Sequence, residues 1–85
     1  MSALEKLEAA HIDKLQAEHA LSVINLGQVG RHAVSKSFPD AVLTVTYRCA
    51  QNKSTVWING VEFREFDDVC EALKRITTTK SPAGS

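Results

Sequence analysis

The stretch that decides the fold is Val56-Trp57-Ile58-Asn59-Gly60-Val61-Glu62-Phe63. Asn-Gly between two short apolar runs is the sequence of a two-residue type I′ hairpin, whose central residues both take positive φ. Such a turn sets the register by itself. Ile58 faces Val61, Trp57 faces Glu62, and Val56 faces Phe63. Alternation along the strands then puts Val56, Ile58, Val61 and Phe63 on one side and Thr55, Trp57, Glu62 and Arg64 on the other.

Upstream, Leu43, Val45, Tyr47 and Cys49 alternate with Thr44, Thr46 and Arg48. This is the period of a half-buried strand over residues 41–49, joined to the hairpin by the loop 50–54. Downstream, Val69, Cys70, Leu73 and Ile76 recur at helical spacing. Asp67 stands at the expected cap, acids fill the first turn, and Lys74 and Arg75 lie in the last. The polar end, residues 78–85, reads as a disordered tail, leaving residues 1–77 as one domain.

At the other end, Ser2-Ala3-Leu4-Glu5 has the form of a capping box. At about 100° per residue, Leu4, Leu7, His11, Leu15, Ser22 and Leu26 share one helical face, and the phase carries on to Val29 and Ala33. A helix unbroken to Ser35 would be roughly 50 Å long, against a radius of gyration of about 13 Å for a 100-residue domain. The helix must therefore break or reach another molecule. Asn25-Leu26-Gly27 is the expected break or kink, and Phe38-Pro39-Asp40 the expected end of the helical region.

The expected fold is α+β: an N-terminal helix broken near Gly27, a three-stranded antiparallel meander and a C-terminal helix, with the helices on one sheet face. The order α–β–β–β–α resembles that of double-stranded-RNA-binding domains in topology. The lysine run those domains carry at the start of the last helix is replaced here by acidic Asp67-Asp68-Val69-Cys70-Glu71, so no residue role carries over.

Composition narrows function by exclusion. Ten basic residues balance ten acidic ones in 85, with 44% hydrophobic and 24% charged. This is the balance of a soluble globular domain, and bulk charge will not draw it to nucleic acid. Cys49 and Cys70 are too few and too far apart for a disulfide framework or a zinc cluster. With no apolar leader in the first twenty residues, the sequence reads as cytoplasmic with reduced thiols. A chain this short has a thin core and gains from self-association.

No candidate for catalysis stands out, and no cofactor or metal is expected. His11 and His19 lie two helical turns, roughly 12 Å, apart, too far to share one metal. Cys49 and Cys70 read as small buried hydrophobes, the latter beside acids that oppose a thiolate. Gly27-Gln28-Val29-Gly30 lacks the strand and the lysine of a phosphate loop, and reads as a helix break or a flat patch for close packing.

Two surfaces remain. The outward sheet face carries Trp57 with Thr46, Arg48, Glu62 and Arg64, the composition of a protein-binding hot spot. The seam Leu4, Leu7, His11, Leu15, Ser22 and Leu26 is the expected self-association surface of a homodimer. The sequence therefore points to a small non-enzymatic regulator or inhibitor that binds another protein and itself, with no role in membranes. The alternative is a nucleic-acid-binding regulator. Residues 25–58 carry Arg31, Lys36, Arg48 and Lys53 against Asp40 alone, and Trp57 would serve as a stacking platform.

Overall fold

The computed structural model describes residues 2–78. It contains α1 (Ala3–Ala9), α2 (Lys14–Gly30), β1 (Val34–Phe38), a 3₁₀ turn (Pro39–Ala41), β2 (Leu43–Ala50), β3 (Lys53–Ile58), β4 (Val61–Phe63) and α3 (Phe66–Thr78). The strands form one antiparallel sheet in the order β1-β2-β3-β4. The α+β architecture is as expected, with four strands in place of three. Apart from Thr78, which ends α3, the polar tail lies outside the described residues.

The hairpin has the register that Asn-Gly requires: Ile58 pairs with Val61, Trp57 with Glu62 and Val56 with Phe63. Asn59 and Gly60 have φ of 51° and 85°. Asn59 also ties the turn to β2. Its side-chain oxygen accepts from the Thr44 amide at 2.9 Å, and its own amide donates to the Thr44 carbonyl at 2.8 Å.

The N-terminal region departs from expectation at two points. The first is the position of the break. It falls at residues 10–13, where His11 takes a left-handed conformation (φ 58°) and the Ile12 amide reaches back to the Leu7 carbonyl. A second capping box then opens α2: Asp13 accepts from the Gln16 amide, and the Gln16 side chain accepts from the Asp13 amide. Two orphan amides satisfied at that point favour a fresh helix start over continuation. Gly27 lies inside α2, buried, with the Tyr47 ring directly against it, so that a Cβ there would overlap the ring. It is a point of close packing, and α2 is continuous through it.

The second is β1, which occupies residues expected to be helical. Val34 and Phe38 point inward opposite Tyr47 and Leu43. Pairing with β2 outweighs the weak helical phase that reaches Ala33.

The core lies between the helices and the inner sheet face. Leu43, Val45, Tyr47, Val56, Ile58 and Phe63 supply the sheet side, and Leu7, Ala20, Val23, Ile24, Val69 and Leu73 the helical side. Each large side chain fully buried there contributes about 1.5–3 kcal/mol. The Tyr47 hydroxyl is satisfied by the Ser54 hydroxyl at 3.0 Å. α1 is held by the Asp68 carboxylate, which accepts from the Ala3 amide at 3.0 Å. α3 begins at Phe66, one residue before the expected cap, with the Val69 amide bonded to the Glu65 carbonyl.

Candidate interaction surfaces

Among the described residues all helical packing is on the inner face of the sheet. On the outer face the register aligns Ser35, Thr46, Trp57 and Glu62 in one row across the four strands. A second row begins with Ser37 and Thr44, and a third with Arg48 and Thr55. Hydroxyl pairs join neighbouring strands: Ser35 with Thr46 at 3.0 Å and Ser37 with Thr44 at 3.5 Å. Trp57, Thr46 and Thr55 are half-buried; Arg48, Glu62 and Arg64 are exposed. Alternation thus places Trp57 at the centre of the residues expected around it.

Arg64 donates from Nε to Glu62 at 2.9 Å, with 83% and 43% of the two side chains exposed. A pair so open to water contributes at most about 1 kcal/mol to stability. Its effect is to fix the guanidinium beside the tryptophan row. Of the other basic residues, Lys53 and Arg48 share this outer face, whereas Lys36 points to the inner side at the sheet edge opposite Val45, and Arg31 sits in the left-handed cap of α2.

The expected self-association seam does not survive as one stripe, because α1 and α2 are separate helices. Leu7 is fully buried in the chain's own core, Leu4 packs against that core, and His11 lies in the turn. Leu15, Ser22 and Leu26 do remain together, on the exposed side of α2, and Val29 extends them. At about 100° per residue these four fall within about 60° of one another and about 150° from the buried side formed by Ala17, Ala20, Val23, Ile24 and Gly27. Leu15, Leu26 and Val29 are 50%, 44% and 78% exposed. α2 is therefore apolar on two sides and uses its small residues for the core.

Several titratable side chains are engaged in structure. His19 stacks on Phe38, ring centroids 4.3 Å apart. Cys49, expected inside, is exposed at the end of β2, beyond the helical cover. Cys70 is half-buried; burial pushes its thiol pKa up, Lys74 opposes the shift and Asp67 adds to it. In the cleft between α1, β4 and α3, Asp68 is taken by the Ala3 amide. Lys6 donates to the Glu62 carbonyl at 3.3 Å and lies over the Phe63 ring. Among the described residues no group of three or more His, Cys, Asp or Glu is placed to hold a metal, and no helix is long and apolar enough to cross a membrane.

Sequence reasoning missed the free edge of β1. Its signal was the alternation in Val34-Ser35-Lys36-Ser37-Phe38, masked by a charged residue at the central inward position. Compared with known proteins, the chain matches no family model, no curated protein and no solved structure.

Proposed function

We propose that this chain is a small non-enzymatic regulator of the cytoplasm, binding a target protein through its outer sheet face and a second copy of itself through α2. One observation carries the reading. Among the described residues no helix covers the outer face of the four-stranded sheet, and the only tryptophan of the sequence stands at the centre of that face between Thr46 and Glu62. A large, rigid aromatic framed by hydroxyls and arginines is the usual anchor of a protein interface. Arg31 and Lys36, half of the basic middle segment, lie away from the tryptophan face, and Glu62 pairs with Arg64 on it, which disfavours the nucleic-acid alternative with its need for cations along one track.

The test is Trp57→Ala. The ring is already part exposed, so truncation is expected to cost under about 2 kcal/mol of fold stability, against ~3–5 for a fully enclosed aromatic. Partner affinity is expected to fall by at least ~2 kcal/mol, roughly 30-fold. Proteins retained from the native host by wild type but lost with Trp57→Ala identify the target. Retention that is unchanged by the substitution overturns the sheet-face reading. Binding to single-stranded oligonucleotides that falls steeply between about 50 and 200 mM salt would instead establish the nucleic-acid reading.

A further inference from the structure

The free edge of the sheet and the exposed stripe of α2 lie on the same flank. The orientation of the edge follows from the Thr44–Asn59 bonds. The Thr44 amide and carbonyl both point to the β3 side. In an antiparallel ladder the direction alternates residue by residue. Leu43, Val45 and Tyr47 therefore bond to β1, through Phe38, Lys36 and Val34. The amides and carbonyls of Ser35 and Ser37 are left pointing outward, and among the described residues nothing occupies that edge.

The orientation of α2 follows from its contacts. Gly27 rests on Tyr47 of β2, and His19 on Phe38 of β1. α2 also packs on α3, which takes the remaining apolar side, that of Ala17, Leu21 and Ile24. Turning from His19 away from α3, the next residues around the helix are Leu26, Leu15, Ser22 and Val29. The stripe overhangs β1 on its open side.

Resting on the self-association reading above, we propose that a second copy of this chain docks on this flank, β1 antiparallel to β1 and α2 antiparallel to α2, joining two four-stranded sheets into one of eight strands. The spacing fits. α2 spans the boundary of β1 and β2, which in a paired sheet lies about 4.8 Å from the two-fold axis. The two helices then stand about 10 Å apart, at the separation of packed helices. Small Ser22 lies near the middle of the stripe, and Leu15 meets Leu26 of the partner subunit. The flank measures roughly 26 Å along the helix and 20 Å through both layers, of the same order as the ~800 Å² per partner of a stable interface.

Helix contacts and charge select the register. His19 lies on Phe38, and Gly27 on Tyr47, which pairs with Val34, so the point of α2 midway between Leu15 and Leu26 stands above Ser37. Centring the axis on Ser35 would shift that point by about 7 Å along the helix and part Leu15 from Leu26. Centring it on Lys36 sets two lysines face to face, which is unfavourable. Centring it on Ser37 keeps the seam: Lys36 meets the partner's Phe38, and the Ser35 amide meets the carbonyl of the partner's Pro39, which lacks only an amide to give in return. Five strand spacings, about 24 Å across the sheet, separate the two tryptophan-bearing strands on one continuous face.

Amide hydrogen exchange in the intact protein, with light scattering, tests this. In the dimer the Ser35 and Ser37 amides are expected to be protected, and to lose protection on dilution into monomer. Ser35→Pro removes one donor per copy from the edge and none from the β1–β2 ladder. It is expected to weaken the dimer on the order of 10–100-fold, with an unchanged circular dichroism spectrum. Leu15→Glu should also break the dimer. A dimer broken by Leu15→Glu while the Ser35 and Ser37 amides exchange freely overturns the edge pairing and leaves the helical seam standing. A wild-type monomer at several hundred micromolar overturns both. If Ser35→Pro fails to fold, exchange in the wild type decides alone.

Discussion

The sheet has two edges, and they are specified in opposite ways. β4 is three residues long and entered through Asn59-Gly60, residues that favour the positive φ they adopt. α1 lies beside it, and Lys6 occupies the outward Glu62 carbonyl. β1 is five residues long and open, entered after Arg31 (φ 53°) and left before Val42 (φ 50°), neither of which favours the left-handed region. Local chemistry writes one edge. The other is held by what packs on it: Tyr47 and Leu43 across the ladder, and α2 above. An edge maintained against local preference and left unpaired is the one expected to have a partner.

The largest expected effect removes the platform that holds β1 and β2 under α2. Gly27→Ala drives a methyl into the Tyr47 ring, and overpacking of this kind costs about 1–3 kcal/mol, only partly offset by the better helix propensity of alanine. Gly30→Ala is the control. Its Cβ meets only the ring of exposed His32, which can swing aside. Urea denaturation should show a clear loss at position 27 and little change at 30. Equal tolerance at both would mean that α2 stands off the sheet and does not impose β1.

Gly60→Val attacks the locally written edge. A β-branched residue at φ 85° costs about 1–2 kcal/mol, or roughly 4–16 °C of melting temperature in a domain of this size. Unchanged stability would show that the hairpin, like β1, is held by context.

The same contrast explains what was legible in the sequence. The hairpin, β2, the first capping box and α3 were readable because each is set by neighbours within four residues. So was the company of Trp57, since alternation alone carries Thr46, Arg48, Glu62 and Arg64 to its side. The turn at His11 was hidden because a left-handed cap without glycine has no sequence mark, although Asp13 and Gln16 stood in capping-box order. Gly27 misled for the converse reason: a helix glycine that admits a ring looks the same in sequence as one that ends a helix. β1 was hidden because Lys36 breaks its alternation at the central inward position, so that pairing with β2 does more than its own residues to make it a strand.

Val42→Gly sharpens the comparison from the other side. Val42 is 80% exposed and left-handed, so its side chain gains little from packing while its backbone carries strain. Relief of about 1–2 kcal/mol, less the roughly 0.5–1 that glycine's freedom costs in the unfolded chain, leaves a gain of up to about 1.5 kcal/mol. A thermal melt at low concentration, where the monomer dominates, checks it. A loss in place of a gain would place Val42 in a contact that outweighs its strain.

The smallest effect is expected at the entrance to β1. Arg31 ends α2 in the left-handed conformation, and the His32 amide returns to the Gly27 carbonyl at 3.3 Å. The Arg31 amide donates to the same carbonyl, and such a left-handed C-cap is most often occupied by glycine. Arginine sits there at a backbone cost of about 1 kcal/mol, but its positive charge at a helix C-terminus returns about 0.3–1. Arg31→Gly removes both terms and adds glycine's unfolded-state entropy, so it should change stability by a few tenths of a kcal/mol at most. Arg31→Ala also loses the charge but keeps the strain, so it should be the less stable of the two by up to about 0.5 kcal/mol, the strain less glycine's unfolded-state cost. The difference between the two variants, read from paired melts in the same buffer, isolates the backbone cost of entering β1. If alanine is the more stable by roughly 0.5–1 kcal/mol, glycine's full unfolded-state cost, that entrance carries no strain, and β1 is held against its local preference only at its exit through Val42.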